Sequence, residues 1–515
     1  MNKIIDKILI LSKKNWFQFL LFLGILWLVF VHLHINRHLT DMIIGPHFWR
    51  KSDTYSQIMN YYYNGLNFFD HSYYYNLFDS NGKAVGEFPI FYYFIALQLK
   101  LIGNYSIIIK INWLVLTFIG LFSLFKICYH FLHHFWLSIY LSTLFFLSPI
   151  YSYYFLSYLP DPVSLNLMLL GLYLLINPSK KRLISALFII GVAGMIKPFF
   201  MIPFIAYVLV LILNQLIYKD KTLPKINFYY VIPFLLVAIW FFYVSWYNHK
   251  QGSNLFLSSP HPIWSISQDI VDKTIRMITK RWFYEYLNPS VLYLLLFFTL
   301  VNLIWWNKKT VLLNLFYIFN IVGSLFFVLL FFNMFEHHDY YVFPLLFILP
   351  LTFGIFIYKL LQLVKNKGVI YSFTLGLLLM SYFQMDYSWD KNEYRRKTPW
   401  ISEKYKYEDY KNLDYFLNKN NIHQNDLVIT FSDFSPSYAL ALLNRKGWSG
   451  YQIRKSHYAP LEKMIKNGAN TLIINKRFKM SEEDSIYITP YMRYPIDDTS
   501  NIFLYDLKPY IDKNK

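Results

Sequence analysis

The stretch Phe88-Pro89-Ile90-Phe91-Tyr92-Tyr93-Phe94-Ile95-Ala96-Leu97-Gln98-Leu99-Lys100-Leu101-Ile102-Gly103 decides how this chain is threaded. It is apolar enough to enter a bilayer. With Gln98 and Lys100 inside it, it is also short for a crossing helix, which takes ~20 residues. Such a segment either spans or lies along the surface as an amphipathic helix. The two readings send every later loop to opposite sides of the membrane, so the charges of those loops choose between them.

One clear apolar run, 16–34, precedes the segment. Those that follow are 105–127, 134–151, 162–178, 183–196, 198–218, 227–247, 290–306, 311–333, 340–361 and 369–385. If 88–103 stays at the surface, alternate loops collect Lys126 with His130, His133 and His134; then Lys180, Lys181 and Arg182; then Lys219, Lys221 and Lys225. Lys308 and Lys309 follow, and last Lys359, Lys365 and Lys367. Short basic loops stay on the cytoplasmic side. The surface reading puts all of these inside, and the crossing reading puts all of them outside. Lys3, Lys7, Lys13 and Lys14 precede the first run, no small-residue cleavage site follows it, and it reads as an uncleaved signal anchor. The expected fold is a polytopic α-helical membrane protein with about eleven spans plus interfacial helices, N-terminus inside and C-terminus outside.

Composition agrees. Of 515 residues, 56% are hydrophobic, 21% aromatic and only 15% charged, with a mean hydropathy of +0.31. That balance excludes a string of soluble domains. A net charge of +19 would suit nucleic acid in a soluble protein. Here the cations serve the loops, and neither a basic recognition helix nor an aromatic RNA-binding motif is present, so nucleic acid is set aside as a partner. Cys128 is the single cysteine, so any part outside the membrane folds without an intrachain disulfide.

Two regions follow: a membrane module, 1–385, with a first outer loop at 36–104 and a long outer loop at 248–289, and a tail, 386–515. In the tail Asp426–Phe431 and Thr471–Asn475 read as buried strands. Ser435-Pro436 can start a helix through Ala439–Leu443, and Leu461–Lys466 ends at Asn467-Gly468, a helix stop. Strands alternating with helices predict a small C-terminal α/β extracytoplasmic domain.

The topology gathers scattered ionisable residues on the outer face, where they do chemistry or bind charged ligands. Asp53 follows Arg50 and Lys51 and heads a helix expected over Thr54–Asn64. It reads equally as a helix-dipole acid or as a base held near a membrane-bound substrate. Glu87 precedes the surface segment, as a helix-end charge or as a ligand for a divalent metal. Asp161, between two prolines, is either a helix cap or a second acid facing the same cavity. Lys197 breaks the positive-inside pattern; it either snorkels or meets a phosphate. In the long loop Ile270–Trp282 predicts an amphipathic interfacial helix carrying Arg276, Lys280 and Arg281, with His261 upstream. Glu336, His337, Asp339 and Tyr340 form a last cluster, a candidate for metal or donor sugar, although adjacent histidines lack the helical spacing of a zinc site.

Five segments taken together resemble a known family. Trp49-Arg50-Lys51-Ser52-Asp53-Thr54, Glu87-Phe88-Pro89-Ile90-Phe91-Tyr92, Leu159-Pro160-Asp161, Gly194-Met195-Ile196-Lys197-Pro198 and Tyr340-Tyr341-Val342-Phe343-Pro344 occur in the order and spacing of the GT-C superfamily. The likeness is to the bacterial protein-mannosyltransferase-like and aminoarabinose-transferase-like group (glycosyltransferase family 39 type). The resemblance implies a transferase that takes a sugar from a polyprenyl phosphate to a lipid, protein or glycan acceptor. It implies Asp53 and Asp161 as the acids of the first and second outer loops. Lys197 would be the base near the donor phosphate, and Glu87 the acid heading the interfacial helix, in some relatives a metal ligand. A divalent metal is the only cofactor it suggests. Two positions depart from the pattern: many relatives follow the first acid with Glu where this chain has Thr54, and some have Lys where it has Phe88. The missing cation would then come from Arg50 or Lys51. Two rival classes are a flippase or exporter of lipid-linked sugars, which would keep its ionisable groups near the bilayer midplane, and a polysaccharide polymerase or ligase using lipid-diphosphate donors.

Overall fold

In the computed structural model the described residues are 14–512, apart from 42, 44, 77–81, 254–259, 307–309, 398–400, 412 and 456–460. Of the loop cations used above, Lys3, Lys7, Lys13, Lys308 and Lys309 lie outside the described residues.

Every apolar run of the sequence is helical over most of its described length, with a break at Leu147-Ser148 inside the run 134–151. Among the described residues, six helices are long and apolar enough to cross a membrane: Ser106–Leu132, Pro198–Tyr218, Phe228–Lys250, Val311–Leu330, Asp339–Leu363 and Lys367–Lys397. A seventh candidate is the pair Gln268–Tyr286 and Pro289–Ile304, which meet at 101°. The bend follows from sequence. Leu287 is extended, the Asn288 side chain accepts from the Ser290 amide, and Pro289 opens the new helix, where its missing N–H costs nothing. Trp16–His32, Ile90–Ile102 and Phe135–Phe146 are shorter apolar helices. The protein is thus a polytopic helical membrane protein with a small sheet.

The chain divides into two compact units. One comprises Met1–Thr40, Lys110–Phe241 and Ser259–Glu393; the other comprises Asp41–Ile109, Phe242–Ser258 and Tyr394–Lys515.

The first unit is helical. Its closest-packed pair is Pro160–Leu174 against Lys180–Ile196. A Cβ on Gly171 would lie 2.4 Å from Ile190 Cγ1, so only glycine lets these helices approach. Polar groups inside the unit bond to one another, as buried groups must: the Tyr317 hydroxyl to Thr299 and Thr352, and Asn302 to the Thr352 carbonyl.

The second unit is built from segments far apart in sequence. Its five-stranded sheet has the order β2-β1-β3-β5-β4, from β1 Leu427–Thr430, β2 Gly447–Ser449, β3 Ala469–Asn475, β4 Pro495–Asp498 and β5 Ile502–Asp506. The first three strands are parallel and the last two pair antiparallel. β1 and β3, buried along most of their length, read as the apolar runs expected of central parallel strands. Early sequence joins the edge of the sheet. Tyr75 bridges Gly447 in parallel, the Asn76 amide donates to the Gly447 carbonyl at 2.6 Å, and the Gly447 amide donates to Tyr74 at 2.9 Å. A Cβ on Gly447 would stand 1.8 Å from the Val428 carbonyl oxygen, so this edge requires glycine. Gln452 adds a bond to the Asn76 carbonyl at 2.9 Å. The Phe48–Tyr63 helix packs against both Ile90–Ile102 and the short Tyr438–Leu443 helix.

Candidate active site

Asp53 lies in the second turn of the Phe48–Tyr63 helix, outside the candidate spans. The expected helix began at Thr54; it begins at Phe48, so Asp53 is a helical residue and not its cap. On this helix a step of three residues returns to one face, which sets Arg50 beside Asp53: Arg50 Nη1 lies 3.8 Å from Asp53 Oδ2. The same guanidinium hydrogen-bonds Glu87 through Nη2. Arg50 therefore bridges the two acids. Lys51, one residue on, is buried in the same helix.

The third neighbour of Asp53 comes from much later in the chain. Ser437 Oγ donates to Asp53 Oδ1 at 3.2 Å, and lies 2.7 Å from Ser52 Oγ. Asp53 is 8% exposed. Burial pushes its carboxyl up to about 7, against the pull of Arg50 and Ser437 in the other direction and a smaller upward push from Glu87. Such a carboxylate is half-ionised near neutrality, the range in which a general base works best.

Tyr73 and Tyr75 sit in the field of Glu87, Asp53 and Arg50, and burial holds both hydroxyls far above the usual phenol range. Both hydroxyls stay neutral, and that of Tyr73 accepts from Gln57 Nε2. His71 is enclosed by Tyr61, Tyr243 and Tyr247, and burial lowers its imidazole to about 4. It is a neutral packing histidine at ordinary pH.

The other predicted residues belong to the first unit. Asp161 is buried in the first turn of Pro160–Leu174. Lys197, half-buried, ends Lys180–Ile196 in an extended conformation before Pro198. Ser164, one turn beyond Asp161, donates to the Ala193 carbonyl at 2.8 Å and reaches the Lys197 carbonyl at 3.5 Å. Asp161 and Lys197 thus stand at the same end of one antiparallel helix pair. Asp339 is buried and accepts from the Tyr154 hydroxyl at 2.9 Å, with the Tyr340 ring alongside Tyr154. Glu336 faces His337 at 3.7 Å instead, so the Glu336–Tyr340 run splits into a buried pair, Asp339 and Tyr340, and a half-buried glutamate beside an exposed histidine.

The cations of the long loop are exposed. Arg276 bonds back to the Asp272 carbonyl, and Arg281 lies over its neighbour Trp282. Lys280 is exposed on the same Gln268–Tyr286 helix, and His261 is exposed ahead of it. Among the described residues no group of three or more His, Cys, Asp or Glu could hold a metal ion. Glu87, the proposed ligand, is engaged by Arg50.

Sequence reasoning missed Ser437. A signal was present in Ser435-Pro436-Ser437, two hydroxyls where one helix start needs a single cap.

No protein-family model matches the chain, and no curated protein matches it. Solved structures do match. Crystal structures of ArnT from Cupriavidus metallidurans, in the apo state and bound to undecaprenyl phosphate, each align with a TM-score of 0.55 and 11% identity, covering 95% of this chain and 97% of that one. At that identity the likeness is one of fold. The chain therefore shares the fold of these ArnT structures over nearly its whole length.

Proposed function

We propose that the protein is an integral-membrane glycosyltransferase that moves a sugar from a polyprenyl-phosphate donor to an acceptor hydroxyl on the extracytoplasmic face. The observation that carries this reading is the Asp53 carboxylate, buried, poised near neutrality and flanked by a cation, on a fold shared with a protein solved with undecaprenyl phosphate. The proposal includes about eleven crossings in the cytoplasmic membrane, with Trp16–His32, Phe135–Phe146, Pro160–Leu174 and Lys180–Ile196 supplying those beyond the long ones and Ile90–Ile102 staying at the surface, and with the N-terminus inside.

In the reaction the acceptor oxygen attacks the anomeric carbon while Asp53 takes its proton. The bond from that carbon to the phosphate oxygen breaks on the opposite side, polyprenyl phosphate leaves with the bonding electrons, and the centre inverts. A phosphate monoester is already a stable anion, so the leaving side needs positive charge more than a proton. Lys197 is the first candidate to supply it. Arg276, Lys280 and Arg281 would guide the donor headgroup in from the lipid surface. Arg50 holds Glu87 and limits the charge that Asp53 must carry alone. Asp161 would orient the acceptor. Among the described residues no cluster of metal-binding side chains includes Glu87, and no step of this reaction is routed through a metal.

The test is transfer of label. Purified protein is given radiolabelled undecaprenyl-phosphate hexoses and pentoses with cell-envelope extract as acceptor. Label moved to a new molecule, and lost in Asp53→Asn, supports the transferase. Label that only crosses a liposome bilayer, unaffected by Asp53→Asn, identifies a flippase and overturns the reading.

A further inference from the structure

The Tyr438–Leu443 helix has serine at its N-cap, the residue type that ordinarily accepts from the first free amides of its own helix. Ser437 makes no such bond. Ser435 and Asp433 do that work instead: Ser435 Oγ accepts from the Tyr438 amide at 2.9 Å, and the Asp433 carboxylate accepts from the Ala439 amide at 2.9 Å and from the Ser435 amide at 2.7 Å. It also accepts from the Ser435 hydroxyl and from Tyr407. With the helix start satisfied elsewhere, the fully buried Ser437 hydroxyl turns to the Phe48–Tyr63 helix, where three acceptors surround it: Ser52 Oγ at 2.7 Å, Asp53 Oδ1 at 3.2 Å and the Trp49 carbonyl at 3.5 Å.

A hydroxyl has one proton to give. Ser52 already donates its own to the Trp49 carbonyl at 2.6 Å, which leaves the Ser437 proton to either Ser52 Oγ or Asp53 Oδ1. Hydrogen bonds to an ionised acceptor are about twice as strong as neutral ones. The proton therefore goes to Asp53 when Asp53 is a carboxylate, and swings to Ser52 once Asp53 has taken the acceptor's proton. The hydroxyl holds Oδ1, while Oδ2 lies toward Arg50.

We infer that Ser437 is a positioning residue for the base: it fixes the rotation of the Asp53 carboxylate in its charged form and releases it on protonation. The inference rests on the reading of Asp53 as base, and it makes residues of the tail part of the catalytic step.

The test uses the full-length protein and the labelled donor that the wild type turns over. Ser437→Ala should lower kcat by about tenfold, the loss expected of one hydrogen bond to a charged group, with donor KM and the unfolding midpoint unchanged. Ser437→Thr, which keeps the hydroxyl, should recover most of the rate. Asp53→Asn is assayed in parallel. If Asp53→Asn is inactive but Ser437→Ala stays within twofold of wild type, the positioning role is overturned and the base stands. A Ser437→Ala loss that follows a lowered midpoint, or that Ser437→Thr fails to recover, also overturns it. If Asp53→Asn itself turns over normally, the base assignment falls first.

Discussion

Two buried aspartates of the second unit divide structural from chemical use of the same side chain. Asp433, after β1, receives four hydrogen bonds, from Tyr407, the Ser435 amide and hydroxyl, and the Ala439 amide. Asp53 receives one hydrogen bond among the described residues, from Ser437, and has an arginine at ion-pair distance. Burial raises both, Asp433 to about 6 and Asp53 to about 7. What separates them is occupancy. A carboxylate with every lone pair committed holds a turn in place, whereas one with a lone pair uncommitted can accept a proton from a substrate.

Substitution can break that distinction. The largest effect belongs to Asp53→Asn, which should reduce transfer by roughly 10²–10⁴-fold, the usual contribution of a general base. Its stability should show the opposite sign. A raised carboxyl pKa means the folded chain binds the proton more tightly than the unfolded chain. This group's contribution is thus greatest in acid and declines as pH rises from about 4 through about 7. Asp53→Asn removes that decline, so its unfolding midpoint should equal or exceed that of wild type at pH 8. A variant that is inactive because it is unfolded at pH 8 would end the comparison.

Asp433→Asn should reverse the pattern. It strands at least one of the amide or hydroxyl donors at the start of the Tyr438–Leu443 helix, a cost of about 1–3 kcal/mol, visible as a lower midpoint. Below that midpoint it should retain more transfer activity than Asp53→Asn. Equal loss of rate in the two variants would mean that Asp433 also touches the chemistry.

The smallest effect concerns the cation. Arg50 pulls the Asp53 carboxyl down, so Arg50→Gln should move the acid limb of the pH–rate profile above its wild-type position near 7. The loss at pH 7 should be about tenfold per unit of that movement, and recoverable at higher pH. A limb that stays in place would show that Arg50 serves Glu87 alone.

Helices were the most legible part of the chain, because a long apolar run has few other solutions in a membrane. The central strands β1 and β3 were also visible, through the short apolar runs Leu427-Val428-Ile429 and Leu472-Ile473-Ile474. β2 is three residues long and begins with Gly447, while β4 contains Pro495, Asp497 and Asp498; neither carries an apolar pattern, and only their partners make them strands. Asp53 and Arg50 could be named from local sequence because helix spacing relates them, and Glu87, 37 residues after Arg50, because it heads the surface segment. Ser437 could not, since nothing local links it to a helix 384 residues earlier. The start of its helix was legible, since Ser435 Oγ accepts from the Tyr438 amide at 2.9 Å; the share that Asp433 takes by accepting from the Ala439 amide was not.

The pairing of Tyr75 with Gly447 has a consequence for biosynthesis. The segment bearing Asp53 emerges from the ribosome early, yet the strand edge and the hydroxyl that complete its surroundings are encoded more than three hundred residues later. Contacts of such long range form last and slowly. A nascent or truncated chain would already hold most of its apolar helices while its base remained unfinished. On the proposed reading, competence would arrive only with the final quarter of translation.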